Sequence, residues 1–254
     1  MERGTQSRQV GLARALSKLG FCSRSQAANL IRAGRVRLNG TTRKDPETPV
    51  HLVRDRIDVD RNAVAAESKI YLMMNKPRGV VTTASDEKGR RTVYSLLGEK
   101  LPWVGPVGRL DKASEGLLLF SNDSEWAARL IDPASHLDKT YHIQAERIYS
   151  KDITALLMYG VQADGELLRA KQARVLRSGE KNAWLEIVLD EGKNRQIRRM
   201  LEHLGIEVLR LIRVAIGPLA LGPLAKGQFR ALALAEKTAL DQAVKMSRDN
   251  SRIL

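Results

Sequence analysis

A carboxylate displayed in a loop at the head of a core strand can act as a nucleophile or as a general base, and the chain offers one such group. Asp111 ends the run Trp103-Val104-Gly105-Pro106-Val107-Gly108-Arg109-Leu110-Asp111. Lys112-Ala113-Ser114-Glu115-Gly116 follows it, and then the apolar run Leu117-Leu118-Leu119-Phe120. A loop rimmed by glycines and backed by a rigid strand is a place to present a reactive group. An aspartate before a turn is nonetheless more often a cap or turn former, so this loop alone does not establish chemistry. Two further segments carry polar groups on regular elements: Lys139-Thr140-Tyr141, which opens a strand, and Glu191-Gly192-Lys193-Asn194-Arg195-Gln196-Ile197-Arg198-Arg199-Met200, which runs into a basic helix. Tyr141 reads equally as a strand core residue, and Arg198-Arg199 as the solvated face of a helix. His136 and His142 read as structural or surface residues. Four histidines and one cysteine do not suggest a zinc site. No Walker-type loop and no Gly-x-Gly-x-x-Gly after a strand is present, so neither metal nor nucleotide cofactor is indicated.

The elements that must position these groups follow from periodicity. Ile70–Met74 is a buried strand closed by Asn75-Lys76-Pro77. Val80–Thr83 is a second β-rich run, and Val93–Leu97 a short helix. Leu117–Phe120 is a core strand, after which Ser124 is the expected cap of a helix ending before Asp132-Pro133. Tyr141–Ala145, Ala173–Leu176 and Trp184–Leu189 read as strands. Ser150 is the expected cap of a helix that stops at Gly160. A basic amphipathic helix over 194–203 stops at Gly205, Val208–Arg213 and Phe229–Leu232 complete the sheet, and a last helix starts near Glu236, its tail fraying from Met246. Strands and helices without strict alternation predict an α+β domain over 68–240, with a mainly antiparallel mixed β-sheet flanked by helices.

The first part of the chain has a different character. Of a net charge of +14, residues 1–44 supply nine, with ten Lys/Arg against Glu2. Such an excess favours polyanionic partners. Leu12, Ala15, Leu16 and Leu19 recur at helical spacing before Gly20. Ser23 and Gln26 form a capping box, Ala27, Leu30 and Ile31 continue an apolar face, and Gly34 ends the second helix. Arg35-Val36-Arg37-Leu38 alternates as a strand does, Asn39-Gly40 is a hairpin turn, and Ile57-Asp58-Val59 completes the unit. Residues 9–60 therefore form a small module, and 60–68, without periodicity, its linker. Two helices before a hairpin also admit a DNA-binding helix-turn-helix. The clustering of Arg24, Arg32, Arg35 and Arg37 around the second helix and the hairpin favours a shaped RNA backbone instead. No stretch of about 18 apolar residues occurs, Met1–Val10 lacks a signal-peptide core, and a single cysteine, Cys22, fits a reducing cytoplasm.

The segment LARALSKLGFCSRSQAANLIRAGRVRLNG resembles the alpha-L, or ribosomal-protein S-four type, RNA-binding domain over about residues 10–57. VGRLDKASEGLLLFSND, KTY and EGKNRQIRRM, in this order, resemble the bacterial ribosomal-RNA pseudouridine synthases of the RsuA and RluB type. So do NKPRGVVTT and LRLIRVAIGPLALGPLAKGQFRAL, and the resemblance covers about residues 10–235. It implies an isomerase that turns uridine into pseudouridine in ribosomal RNA or a pre-ribosomal particle. The implied roles are a nucleophilic aspartate at Asp111, a stacking tyrosine at Tyr141, an aspartate-pairing arginine at Arg198, and Arg109 filling the space left by a flipped nucleotide. The reaction breaks an N-glycosidic bond, turns the uracil and rejoins it through a ring carbon, with no net redox change and no cofactor. Burial tends to neutralise a carboxylate and a nearby guanidinium opposes this, a role expected of Arg198. Extruding the base costs a few kcal/mol, and stacking on Tyr141 offsets this by roughly 1–3 kcal/mol. Lys139, Lys193 and Arg195 are expected to hold phosphates. The phrasing leans to large-subunit rather than small-subunit rRNA, with a cytoplasmic monomer as the agent and neither membrane nor DNA as partner. A non-catalytic RNA-binding assembly factor is the competing reading, and the intact set Asp111, Tyr141 and Arg198 speaks against it.

Overall fold

The computed structural model describes residues 9–84, 86–98, 101–146 and 152–250, the side chains of 247–250 excepted. The chain forms two compact units. One comprises Met1–Tyr71, Glu99–Gly105 and Phe120–Ala127; the other comprises Leu72–Gly98, Pro106–Leu119 and Ala128–Leu254.

In the first unit, helices Leu12–Lys18 and Arg24–Arg32 pack Leu12, Leu16, Ala27 and Ile31 against Val36, Val50, Ile57 and Val59. Gly20 takes φ +82° where the first helix stops. Ser23 Oγ accepts from the Gln26 amide at 3.1 Å, and Gln26 Oε1 accepts from the Ser23 amide at 3.0 Å. Both halves of the capping box are therefore made. Asn39 and Gly40, at φ 52° and 81°, form a two-residue turn that pairs Leu38 with Thr41. The stretch read as a linker opens with a second hairpin. Asp60 and Arg61 both have positive φ, and Asn62–Ala63 pairs with Asp58 and Val59. Two paired residues are too few to show a period, which is why the sequence reads as irregular there. The same unit fastens the chain near Tyr71. Asn122 accepts from the Ile70 amide and donates to the Ser68 carbonyl, both at 2.9 Å, and Tyr71 meets the fully buried Trp126 edge-on with ring centroids 4.8 Å apart.

The larger sheet has nine strands among the described residues. Seven run in the order Gln172–Ser178, Asn182–Leu189, Lys139–Glu146, Val208–Ile216, Glu115–Ser121, Tyr71–Lys76 and Phe229–Ala231. The Val208–Ile216 and Glu115–Ser121 strands pair in parallel, while Lys139–Glu146 is antiparallel to both of its neighbours. The α+β class with a mixed sheet is thus observed. Helices Ile153–Tyr159 and Gln196–His203 lay Ile153, Leu157, Ile197, Met200 and Leu201 against Ile143, Leu185, Ile187 and Leu211. Burying each such side chain contributes roughly 1.5–3 kcal/mol.

Several local expectations need correction. Val80–Thr83 forms no strand; only Val81 makes an isolated bridge, to Thr92. The short helix expected at Val93–Leu97 forms as a 3-10 helix over Val93–Leu96. Asp123 rather than Ser124 caps the helix Ser124–Ile131, its carboxylate accepting from the Trp126 amide at 3.1 Å. Ser150, the expected cap of the next helix, lies outside the described residues. The last helix runs Leu234–Asn250, past the expected fraying point.

Candidate active site

Asp111 sits in the loop before the Glu115–Ser121 strand, half-buried. The loop is held from three directions. The Ser114 amide closes it onto the Asp111 carbonyl at 3.0 Å. Thr82 Oγ1 donates to the Leu110 carbonyl at 2.8 Å and accepts from the Leu110 amide at 3.3 Å, so one hydroxyl satisfies both backbone groups of the residue before the aspartate. Lys76, fully buried, donates to the carbonyls of Ser114 at 2.8 Å, Asp111 at 3.1 Å and Pro77 at 3.2 Å. The segment Asn75–Thr83 is therefore the buttress of the aspartate loop. Thr82 serves that loop rather than a ladder, which is why its β-rich run is not a strand. Burial pushes the Lys76 ammonium down to about 8, against the pull of Asp111 and Glu115.

Tyr141 is half-buried on the Lys139–Glu146 strand, opposite Ile187 on one neighbour and Arg213 on the other. A register shift between Thr140 and Tyr141 sets that pairing. Arg198, two residues into the Gln196–His203 helix, donates to the carbonyls of Ala113 at 3.2 Å and Val208 at 3.3 Å. It thus fixes the far side of the aspartate loop through its backbone. Burial lowers the Arg198 pKa, Arg195 and Arg78 push the same way, and the charge of Asp111 opposes them.

Asp111, Tyr141 and Arg198 line one cavity of about 630 Å³, together with Arg109, Lys139, Lys193, Arg195 and Arg213. Residues as far apart in the chain as Val107 and Ile216 converge there, on a wall that also contains Leu119, Ile131 and Leu189. An apolar cleft with a few convergent polar groups is the usual form of a small-molecule or nucleotide site. Of the basic candidates, Arg109 and Arg195 are exposed, whereas Lys193 lies 3.3 Å from both Glu166 and Glu191. Arg199 is no solvated helix residue. It is clamped to Asp164 at 2.7 Å, Glu166 at 3.1 Å and the Ala163 carbonyl at 2.9 Å. In the first unit, Arg24, Arg32 and Arg37 are exposed, while Arg35 is paired with Asp60. His142 contacts Glu186 at 3.1 Å, away from the cavity lining. Among the described residues there is no cluster of three or more metal-ligating side chains, and no helix is long and apolar enough to cross a membrane.

The RNA pseudouridylate synthase family matches residues 70–203, and the S4 domain matches residues 10–57. The chain belongs to the RNA pseudouridine synthase family. An uncharacterized RNA pseudouridine synthase of Rickettsia prowazekii is 37% identical over 222 residues, covering 86% of this chain and 92% of that protein. The ribosomal large subunit pseudouridine synthase B of Bacillus subtilis is 34% identical over 223 residues, covering 87% and 91%. A crystal structure of a pseudouridylate synthase superposes with TM-score 0.65 at 28% identity, over 91% of this chain and 99% of that one. The protein is therefore an isomerase acting on RNA, with an RNA-binding S4 domain at its N-terminal side.

Two site residues were missed by sequence reasoning. In the sequence Lys76 reads only as the end of a strand, and Arg213 only as a strand residue. A lysine directly before a proline at the close of a fully apolar strand was the available signal for the first. For Arg213 the signal was weaker: an arginine inside the run Leu211-Ile212-Arg213-Val214, where a core strand would not tolerate it without a purpose.

Proposed function

We propose that the protein isomerises one uridine of ribosomal RNA, in the large subunit, with Asp111 as the catalytic carboxylate acting as nucleophile or base. The observation that carries this reading is the convergence of Asp111, Tyr141 and Arg198 on one cavity, within a chain of this family. The uracil stacks on Tyr141 and Arg109 enters the space it leaves. Arg198 supplies positive charge and holds the loop on which Asp111 is mounted. The N1–C1′ bond breaks, the C5–C1′ bond forms, the C5 proton leaves to solvent and N1 gains one, so no oxidant or energy source enters. Large-subunit RNA is supported by the likeness to the ribosomal large subunit pseudouridine synthase B of Bacillus subtilis.

The test offers unmodified small- and large-subunit bacterial rRNA to the full-length protein and maps pseudouridine by chemical adducts that stop reverse transcription. One modified position in the large-subunit RNA is the expected result. Modification confined to the small-subunit RNA contradicts the substrate, and modification of neither contradicts the rRNA reading.

A further inference from the structure

Lys139 is expected from the sequence to hold a phosphate, and the proposed function gives it no partner in that role. We propose that Arg213 and Lys139 form a two-point clamp for the phosphate of the reacting nucleotide, an inference that rests on reading the cavity as the uridine site.

Arg213 is 6% exposed, on a sheet strand that lines the cavity. Its Nε donates to the Leu117 carbonyl at 2.8 Å, which fixes the plane of the guanidinium. Its Nη2 is buried with no hydrogen-bond partner. An unpartnered guanidinium nitrogen in a protein interior is costly unless a ligand completes it. No carboxylate among the described residues forms an ion pair with Arg213, so the missing partner is an anion from outside the chain.

Lys139 points to the same place. It precedes Tyr141 by two positions on one strand, so both side chains leave the same face, and Arg213 is the cross-strand partner of Tyr141. Tyr141 is therefore flanked by Lys139 along its strand and by Arg213 across it. The two acids whose charge acts on Lys139 also serve other cations: Asp138 accepts from Lys171 at 2.8 Å, and Asp190 faces His136 at 3.6 Å. Burial lowers the Lys139 pKa, and the charge of Arg213 lowers it further. Two like charges facing one cavity wall repel each other until an anion lies between them.

A phosphodiester fits this arrangement better than a uracil carbonyl. It carries a full charge and several acceptor oxygens, which two cations can share, and it lies one sugar away from a base stacked on the tyrosine. A keto oxygen would satisfy one donor and leave the repulsion in place.

The test titrates the full-length protein with uridine, uridine 5′-monophosphate and uridine 3′-monophosphate, followed by NMR chemical shifts. One monophosphate is expected to bind about tenfold tighter than uridine, the value of one charge-assisted contact. Which isomer gains identifies the phosphate that is held. The gain disappears in Lys139→Gln and in Arg213→Gln. Should Arg213→Gln melt early through loss of the Leu117 contact, Lys139→Gln alone carries the result. Equal affinity of wild type for uridine and both phosphates, or a gain that survives in the folded variants, overturns the clamp. Asp111→Asn separates the two readings, since it keeps the phosphate gain and loses turnover. Turnover retained there refutes the catalytic reading and leaves the clamp standing.

Discussion

Lys76 donates to the carbonyl of Asp111 at 3.1 Å from a position with no solvent exposure, so the loop that carries Asp111 rests on a buried ammonium. The folded pKa of that group, about 8, lies below its ordinary value of 10.5. Between those two values the unfolded chain binds the proton and the folded one does not, so stability rises with pH across the window. The full difference corresponds to roughly 3 kcal/mol. Urea unfolding of wild type from pH 7.5 to 10.5 is expected to show this rise, and Lys76→Met to show it reduced. Parallel profiles for the two proteins would remove Lys76 as its source.

Gly116 is where the aspartate loop enters its strand, and its backbone abuts Arg213. A Cβ at this position would lie 2.3 Å from the Arg213 carbonyl oxygen, and φ is +103°. Gly116→Ala must therefore strain its own backbone and push the Val208–Ile216 strand aside. A loss of about 2–4 kcal/mol in stability is expected from denaturant unfolding, with pseudouridine formation reduced even in the folded fraction.

Arg198 bonds two carbonyls in a fixed fork, and a lysine cannot reach both in that geometry. Arg198→Lys keeps the charge and loses the fork. Single-turnover pseudouridine formation is expected to fall about 100-fold with RNA affinity nearly unchanged. A variant that lost affinity in proportion to rate would make Arg198 a binding group only.

The polar punctuation of the chain was the most legible part. Ser23 with Gln26 and Asn39-Gly40 are local devices whose geometry follows from two residue types, and both form as read. Asp164-Gly165 carries the same hairpin signal, and the structure turns there between Val161–Ala163 and Glu166–Leu168, a signal that went unread. Asp111, Tyr141 and Arg198 stood out through motif resemblance, and the fold brings them to one cavity. The supports were not legible because their partners are backbone carbonyls far along the chain. Lys76 meets Ser114 and Arg198 meets Ala113 only after the sheet has assembled, and carbonyls leave no trace in side-chain spacing. Asp123 displaced Ser124 as a cap because either residue type suits the position and packing of Trp126 sets the helix start.

The exposed arginines of the S4 domain should contribute to RNA binding as phosphate contacts. Arg24→Gln, Arg32→Gln and Arg37→Gln together are expected to weaken rRNA binding and to lower the slope of log affinity against log salt by about 2–3, close to one per phosphate contact. Filter binding from low to moderate salt reads this directly. An unchanged slope would place the RNA elsewhere.

The central claim is that the Asp111 carboxylate performs the isomerisation. Conversion of uridine to pseudouridine releases the hydrogen at C5, so tritium release from rRNA labelled at uridine C5 follows the chemistry in single turnover. The account predicts steady release by wild type and none by Asp111→Asn, at matched RNA occupancy and with an unchanged melting profile. Release by Asp111→Asn at the wild-type rate would contradict it.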